Sequence, residues 1–290
     1  MTSTLPTGFS WIDLTGLPSE LLALAERCFA ADGGMPLATD RAFLARRWSG
    51  EGVTAFGLRA GDGRLVAAGA ARGGPAFTGL IDPEARGQGL GAEVLDRGLA
   101  LAGTTVETES LTGDAEALFT SRGLVQSFAE DVMHVDLERV ALPPVDWPQG
   151  ATVSTWDELT AQRFHTTYHA SFRDRPGFPA DPADEWIAEN EEDDDFVPEQ
   201  SLLVTLPDLG DAGFVTAARG WIVQVGVVPF ARRRGLAGAL ITESLTRMAA
   251  DDADHAWLTV NVNNPGAAAL YRRLGFTHQG RRARYQAATN

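Results

Sequence analysis

A run of three arginines followed by small residues is the stretch of this sequence with the clearest chemistry. The run consists of Arg232, Arg233, Arg234, Gly235, Leu236, Ala237 and Gly238. A β-branched segment ends before it at Pro229, and a helical apolar pattern begins at Leu236, so the sequence predicts a strand, a tight loop and a helix N-terminus. The first turn of a helix has unpaired backbone N–H groups and the positive end of the helix dipole. Small side chains let an anion approach those groups, so the stretch is a candidate cradle for a diphosphate.

Two other phosphate-binding loops can be compared with this stretch. A Walker loop requires a lysine, and the chain contains none. A dinucleotide-binding fold requires an acidic residue about twenty positions after its glycines, within a βαβ unit. An arginine-rich helix entry on a solvated surface remains an alternative to a binding loop.

A second motif follows a predicted strand at 256–262. Its pattern is Asn264-x-x-Ala267-x-x-Leu270-Tyr271-x-x-x-Gly275-Phe276. Asparagine is a favourable helix N-cap, so a helix is predicted to begin here. The hydroxyl of Tyr271 could donate a proton, although a helix that also carries Leu270 would equally suit a tyrosine in the core.

Both motifs have counterparts in the first half of the chain. The pattern Arg86-x-x-Gly89-x-Gly91 lies 146 residues before Arg232-x-x-Gly235-x-Ala237. A counterpart of the second motif lies 152 residues before it and has Phe119 in place of Tyr271 and Thr112 in place of Asn264. We interpret this as an internal repeat with copies one domain long. Because phenylalanine cannot donate a proton, the first copy is predicted to keep its phosphate loop and to lack the acid.

The two motifs, in this order and spacing, resemble those of the GCN5-related N-acetyltransferase (GNAT) family. The resemblance covers essentially the whole chain. It implies an α/β (α+β) fold of two tandem GNAT domains, each with a mixed, mainly antiparallel sheet flanked by helices. The tandem arrangement is similar to that of the mycothiol synthase group of actinobacterial enzymes. It implies an acyltransferase that uses acetyl-CoA as co-substrate.

The resemblance also assigns roles to residues. It implies that the loop amides grip the CoA pyrophosphate, that the strand backbone before the loop binds the pantetheine arm and thioester oxygen, and that Tyr271 is the general acid. Gly226 in that strand is expected to mark a bulge. The residues expected to bind acetyl-CoA are Val225, Val227, Arg232, Arg233, Arg234, Gly235, Leu236, Ala237, Gly238, Asn264 and Tyr271, and in the first copy Arg86, Gly87, Gly89 and Gly91.

The general base is not assigned by the sequence. Many family members have a glutamate in the strand before the loop, whereas this chain has Gln224, which cannot take a proton. The amine could also arrive neutral and need no base. The remaining candidates are Glu185, Glu189, Asp193 and His169, acting directly or through water.

Histidines and acidic residues near 165–195 have further interpretations. His165 and His169 lie one helical turn apart, but no companion ligands follow at a suitable spacing, so no metal is predicted. The segment 189–195 has six carboxylates in seven positions. It is either a solvated loop or a surface that attracts a cationic substrate.

The Pro-rich segment 140–148 divides the chain into predicted domains 1–145 and 146–290. Helices are predicted at 18–31, with Cys28 in its core, and at 40–48, 156–172 and 182–190. Strands are predicted at 53–58, 65–71, 133–137, 201–206, 213–218 and 221–228, and the first two form a hairpin.

Composition limits the partners. A net charge of −15 argues against nucleic acid, and no apolar stretch is long enough for a membrane span. The N-terminus has no targeting pattern, so a cytoplasmic location is expected. An internal duplication is compatible with a monomer or a homodimer.

Two functions are open from the sequence. The first is N-acetylation of a small-molecule amine in the second domain, with the acceptor unknown. The second is a non-catalytic acyl-CoA-binding or sensing protein in which both domains are pseudoenzymes. Tyr271 favours the first function, and Gln224 favours the second.

Overall fold

The computed structural model describes residues 5–73, 76–175 and 177–288. The first four residues, where part of the targeting prediction falls, lie outside this range. The strands are β1 (Phe9–Leu14), β2 (Thr54–Ala60), β3 (Leu65–Ala71), β4 (Ala76–Ile81), β5 (Thr105–Thr108), β6 (Leu124–Asp136), β7 (Thr152–Thr155), β8 (Leu202–Leu206), β9 (Gly210–Ala218), β10 (Trp221–Val227), β11 (His255–Asn261) and β12 (Thr277–Ala287).

Eight helices are present among the described residues. They are α1 (Ser19–Asp32), α2 (Arg41–Trp48), α3 (Leu90–Ala102), α4 (Gly113–Ser121), α5 (Ala161–Phe172), α6 (Ala183–Glu191), α7 (Leu236–Ala250) and α8 (Pro265–Arg273). In the part of the chain that the structure describes, no helix is long and apolar enough to cross a membrane.

The chain forms two compact units. The first contains residues up to Val132 together with Asn261–Asn263 and the segment from Gln279 onward. The second contains Met133–Val260 and Asn264–His278. The division at 145/146 stays a prediction, because the compact units interleave parts of the chain that a single boundary would separate.

The sheet of the first unit is mixed and mainly antiparallel. Its order is β1-β2-β3-β4-β5-β12, and only the β4–β5 pair among these is parallel. The β2–β3 hairpin confirms the predicted turn. Strands β4 and β5 pair only at Ala76↔Thr105 and Phe77↔Val106, so they separate beyond that point.

Strand β12 carries three arginines that pair with acidic residues of the first unit. Arg281 donates from Nε to Asp131 at 2.8 Å, and Arg282 donates to Glu130 at 2.9 Å. The Nε of Arg284 lies 3.1 Å from Glu107 on the neighbouring β5. Burial of Tyr285 against Phe119, with ring centroids 5.2 Å apart, adds an apolar contact. These contacts fix the C-terminal strand in the first unit.

The sheet of the second unit repeats this arrangement with the order β11-β10-β9-β8-β7. The β10–β11 pair is parallel and the other three are antiparallel. Apolar side chains of β8, β9 and β11 form one core with α7 and α8, and an aromatic cluster of α5 and α6 packs around Phe214 of β9. Both units confirm the predicted fold class.

Several local predictions were wrong. Helix α5 begins at Ala161 rather than at 156, because Asp157 and Thr160 form a capping turn in which Asp157 Oδ1 accepts from the Thr160 N–H at 2.7 Å. The strand irregularity of β10 lies between Ile222 and Gln224, not at Gly226. Gly226 instead leaves room for neighbours, since a Cβ there would lie 2.5 Å from the Phe214 ring. Strands β1, β4, β5, β7 and β12 were not predicted.

Candidate functional site

The arginine-rich loop of the second unit has the backbone geometry of an anion cradle. Gly235 is the N-cap of α7 with φ 83° and ψ −7°, and the first intrahelical bond runs from the Ala239 N–H to the Gly235 carbonyl at 3.0 Å. The N–H groups of Leu236, Ala237 and Gly238 therefore precede the helical hydrogen-bond ladder and point out of the N-terminus. A Cβ at Gly235 would meet nothing within 4 Å, so the space in front of the cradle is open.

The three arginines of this loop have different environments. Arg232 donates from Nε to the Val227 carbonyl at 3.1 Å and from Nη2 to the Ser171 carbonyl at 3.0 Å, which ties the end of β10 to α5. Arg233 is exposed and has a left-handed backbone with φ 62°, a conformation that costs an L-residue about 1–2 kcal/mol. Arg234 is also exposed. In the part of the chain described, none of the three forms an ion pair, so their positive charges are uncompensated.

Strand β10 offers a free edge beside the cradle. Val225 and Val227 pair with β9 at Val215 and Gly213, whereas pairing with β11 is limited to Trp221↔Trp257. The two parallel strands therefore diverge before they reach the loop. Backbone groups on this side of Val225 and Val227 lie outside the strand ladder and can bind an extended ligand.

Helix α8 carries the predicted acid and packs against the cradle. A Cβ on Gly238, in the first turn of α7, would lie 3.6 Å from the Leu270 side chain. Tyr271 follows Leu270 and is 7% exposed. Burial raises the pKa of Tyr271 to about 12, so the phenol is protonated at neutral pH. Asn264 caps the same helix, with Oδ1 accepting from the Ala267 N–H at 3.2 Å.

The structure does not bring the proposed bases together at the strand before the loop. Glu185, Glu189 and Asp193 are exposed on or after α6. His169 is half-buried with its ring 5.4 Å from that of Phe178, and the Nε2 of His165 lies 3.0 Å from the Asp181 carbonyl. No group of three or more metal-ligating side chains occurs among the residues described.

Uncharged polar atoms are instead buried between α5, α6 and the sheet of the second unit. Gln224 and Thr216 are Cα partners across β10 and β9, and Ser171 of α5 lies against Gly226, where a Cβ would be 2.9 Å from the Ser171 Cβ. The atoms Ser171 Oγ, Trp186 Nε1, Thr216 Oγ1 and Gln224 Oε1 are buried without a hydrogen-bond partner among the described residues. Buried polar atoms without partners are uncommon and indicate a place where a ligand or solvent completes the bonding.

The cradle of the first unit has the same backbone but a different charge. Gly87 and Gly89 have φ 75° and 82°, close to the values at Arg233 and Gly235, and Gly89 caps α3. Arg86 donates to both carboxylate oxygens of Asp32 at 2.6 Å and reaches the Ile81 carbonyl at 3.3 Å. These bonds to Asp32 raise the pKa of Arg86, and the negative charge of Asp32 balances the positive charge of the guanidinium.

A cavity of about 230 Å³ lies in the first unit beside this cradle. It extends from Arg86, Gly87 and Gly91 between the separated strands β4 and β5. Its apolar walls include Leu44, Trp48, Phe77, Leu80 and Val94.

Five charged residues that line this cavity form ion pairs with one another. Arg47 donates to Glu107 at 3.2 Å and pairs with Glu109 at 2.8 Å. Arg72, Arg47 and Arg284 hold the pKa of Glu107 below its usual range despite the opposing effect of burial. Phe119, in place of the tyrosine of the second copy, also lines the cavity.

Sequence reasoning missed Asp32, the carbonyl of Ser171 and the buried polar atoms near Gln224. Asp32 lies 54 residues from Arg86, and no short motif joins the two. The one available signal was the acidic residue at the C-terminal end of α1. Cys28 lies in the core of α1 as predicted, and burial raises the pKa of its thiol to about 11.

Comparisons with known proteins match the sequence of this chain to acetyltransferases. The model of the Acetyltransferase (GNAT) family matches residues 156–276. A mycothiol acetyltransferase from Nocardioides sp. (strain ATCC BAA-499 / JS614) is 32% identical over 92% of this chain and 94% of the relative. One from Clavibacter michiganensis subsp. michiganensis is 28% identical over 88% of this chain and 87% of the relative.

Solved structures have the same fold over almost the whole chain. A GCN5-related N-acetyltransferase from Sphaerobacter thermophilus has a TM-score of 0.73 and 25% identity, covering 98% of this chain and 96% of its own. A tandem GNAT protein from the clavulanic acid biosynthesis pathway has a TM-score of 0.61 and 17% identity, covering 97% and 99%, and supports the fold alone. The chain therefore belongs to the GNAT acetyltransferase family, has its tandem-domain fold and is an acyltransferase.

Proposed function

We propose that the second compact unit transfers the acetyl group of acetyl-CoA to the amine of a small molecule. The observation that carries this proposal is the packing of α8 on the first turn of α7, where a Cβ on Gly238 would lie 3.6 Å from Leu270, the residue before the predicted proton donor. The loop arginines, without ion pairs among the described residues, add the positive charge that a diphosphate requires.

Each residue of the site has a defined task in this reaction. The amides of Leu236, Ala237 and Gly238 bind the pyrophosphate, and the free edge at Val225 and Val227 orients the pantetheine arm and the thioester carbonyl. The amine attacks this carbonyl, the C–N bond forms and the C–S bond breaks. The thiolate that leaves takes the phenolic proton of Tyr271.

The acceptor is proposed only as a class. Several curated relatives are named mycothiol acetyltransferase, so the amine that those enzymes acetylate is one candidate for a screen. Binding of acetyl-CoA by Arg86, Gly87, Gly89 and Gly91 of the first unit stays a prediction. The alternative of a non-catalytic acyl-CoA-binding protein has less support, because the curated relatives over most of the chain are named as enzymes.

The exchange Tyr271→Phe tests the proposal. We expect kcat to fall by about 10–1,000-fold at neutral pH, because the thiolate must then be protonated by water, while the Kd of acetyl-CoA changes little. Free CoA thiol released over time gives the rate, and calorimetry gives the Kd.

A matched exchange in the first unit controls for the loss of the hydroxyl. Tyr285 of β12 is buried like Tyr271 of α8, and Tyr285→Phe should leave kcat unchanged. An unchanged rate in Tyr271→Phe would remove Tyr271 from the mechanism. Unchanged acetyl-CoA affinity and full activity in Ala237→Glu would contradict the assignment of the second cradle.

A further inference from the structure

The cavity of the first unit passes through the sheet between β4 and β5. Neighbouring residues of β3 belong to different cores: Ala67 to the core of α3 and α4, and Ala68 to the core of α1 and α2. Because side chains alternate between the two faces of a strand, these helix pairs lie on opposite faces of the sheet. Residues from all four helices line the cavity, and β4 and β5 pair at only two positions. The gap between these strands therefore joins the two faces.

The two ends of the cavity differ in chemistry. Arg86 and Gly91 lie at one end, where α3 begins and the first unit has its predicted phosphate cradle. Side chains of α1 and α2 form the other end, among them Cys28, Leu44 and Trp48. A CoA molecule whose diphosphate lies at the cradle would extend its arm into the gap between the strands. Its acyl group would then face the apolar end.

The charged side chains at the α2 end are already paired, so they leave an apolar surface for a ligand. Arg47 of α2 lies 3.2 Å from Glu107 and 2.8 Å from Glu109. A charged ligand would have to separate Arg47 from these carboxylates, which leaves a largely buried charge without its partner. A saturated chain needs no such change and gains the removal of its methylenes from water. The end between α1 and α2 is therefore suited to an acyl chain.

The cradle end has less positive charge than its counterpart in the second unit. Gly87 and Gln88 stand where the second copy has two arginines, and the charge of Arg86 is balanced by Asp32. Asp114, in the first turn of α4, also lines the cavity and adds a negative charge. A diphosphate therefore gains less attraction here than in the second unit. Selectivity among CoA thioesters must come from the acyl end.

A thioester bound in this cavity would meet no tyrosine hydroxyl. Phe119 lines the cavity at the position that Tyr271 has in the second copy. Of the three tyrosines in the chain, only Tyr285 belongs to the first unit, and its hydroxyl donates to Glu116 at 3.1 Å. The proton donor that acyl transfer requires is thus replaced by an apolar ring. A bound thioester would be held rather than consumed.

We propose that the first unit is a binding site for acyl-CoA thioesters whose acyl chain is longer than acetyl, and that it holds them without transfer. The diphosphate lies at the backbone amides of the α3 N-terminus, the pantetheine arm crosses the gap between β4 and β5, and the chain lies between α1 and α2. Each methylene buried there strengthens binding by about fourfold. The site extends the predicted binding of CoA at the first cradle and does not depend on acetyl transfer by the second unit.

Calorimetry with acetyl-CoA, butyryl-CoA and hexanoyl-CoA tests the site in the full chain with Ala237→Glu, which blocks the second cradle. We expect the Kd to fall on the order of tenfold for each two methylenes added. No CoA thiol should be released from hexanoyl-CoA beyond its spontaneous hydrolysis. Equal Kd values for acetyl-CoA and hexanoyl-CoA, failure of hexanoyl-CoA to bind, or release of the thiol would overturn the proposal. None of these outcomes affects the transfer that Tyr271→Phe tests in the second unit.

An exchange at Ala38 locates the chain. Ala38 lies between α1 and α2, lines the cavity and is half-buried, so a larger side chain can enter with little disturbance of the core. Ala38→Phe should raise the Kd of hexanoyl-CoA at least about tenfold and leave the Kd of acetyl-CoA nearly unchanged. Ala42→Phe, on the exposed side of α2, is the matched control and should leave both Kd values unchanged. If the two exchanges act alike, the chain does not lie in this cavity and the proposal fails.

Cys28 provides a second measurement that needs no exchange in the cavity. It is the one cysteine of the chain, and it lines the end between α1 and α2. In the same Ala237→Glu background at mildly alkaline pH, saturating hexanoyl-CoA should slow alkylation of this thiol by iodoacetamide at least about tenfold more than saturating acetyl-CoA does, because only the longer chain covers the sulfur. Equal alkylation rates with the two ligands would also overturn the proposal.

Discussion

Equivalent arginines in the two repeats make different contacts. Arg86 is bonded to both oxygens of Asp32, whereas Arg232 donates only to backbone carbonyls and is followed by two further arginines. The first cradle therefore offers backbone amides with little net charge, and the second offers amides together with three cations. The two cradles should differ in how strongly salt weakens acetyl-CoA binding.

Asp32→Asn should convert the first cradle toward the behaviour of the second. The exchange frees the Arg86 guanidinium, so acetyl-CoA should bind the first unit on the order of tenfold more tightly, with a steeper salt dependence. Calorimetry in an Ala237→Glu background isolates the first unit, because a glutamate in the first turn of α7 repels phosphate from the second cradle.

A remote exchange separates this effect from net charge. Asp13→Asn removes one negative charge from a side chain that is 90% exposed and should leave the affinity unchanged. If both exchanges strengthen acetyl-CoA binding equally, or if Asp32→Asn weakens it, the pairing of Arg86 with Asp32 does not control the affinity of the first cradle.

At the scale of elements, a close backbone crossing fixes the loop after α1. The Gly34 N–H donates to the Gln279 carbonyl at 2.8 Å, and the Met35 N–H donates to the Glu109 carbonyl at 2.9 Å. Gly280 has φ 146°, and a Cβ there would lie 2.4 Å from the Gly34 nitrogen. Only glycine lets β12 approach the loop this closely.

Gly280→Ala should therefore destabilise the first unit by about 2–4 kcal/mol, from backbone strain and the clash with Gly34. Urea unfolding followed by far-UV circular dichroism measures the loss. Gly63→Ala is a matched control, since Gly63 also has a positive φ of 87° but a Cβ there meets nothing within 4 Å. Equal effects of the two exchanges would mean that the crossing is not tight in solution.

Elements specified by local patterns were predictable from the sequence, and those held by distant contacts were not. The loop and helix at 232–250 follow from a strand end, a glycine and a continuous apolar pattern, and the N-cap at Asp40 follows from its side chain alone. Strand β12 contains three arginines and shows no apolar alternation. Its partners Glu107, Glu130 and Asp131 lie about 150 or more residues away in sequence, so nothing local reveals it.

The residues of the candidate site also fall into those that the sequence could predict and those that it could not. The cradle and Tyr271 belong to short motifs, so their types and spacing were readable. The polar atoms that surround Gln224 come from β9, α5 and α6, and only the packing of these elements brings Thr216, Ser171 and Gln224 to one face. The cavity of the first unit is likewise a property of strand separation, which no sequence pattern reports.

At the scale of the whole molecule, the last residues of the chain belong to the first compact unit. A chain that ends at His278 lacks the partner strand of β5 and the arginines that bind Asp131, Glu130 and Glu107. We expect its first unit to lose amide hydrogen-exchange protection across 54–108, while 202–260 remain protected. Removal of 289–290 alone should leave the hydrogen-exchange protection of both ranges unchanged. Retained protection in both regions would show that β12 contributes little to the first unit.

Strand β12 also has a consequence for synthesis in the cell. The ribosome makes β1–β5 before β12, so the sheet of the first unit is complete only after the second unit has been translated. Until then β5 presents an unpaired edge to other nascent chains, which is a hazard for misassembly. Premature termination before β12 should therefore harm the unit that was translated first.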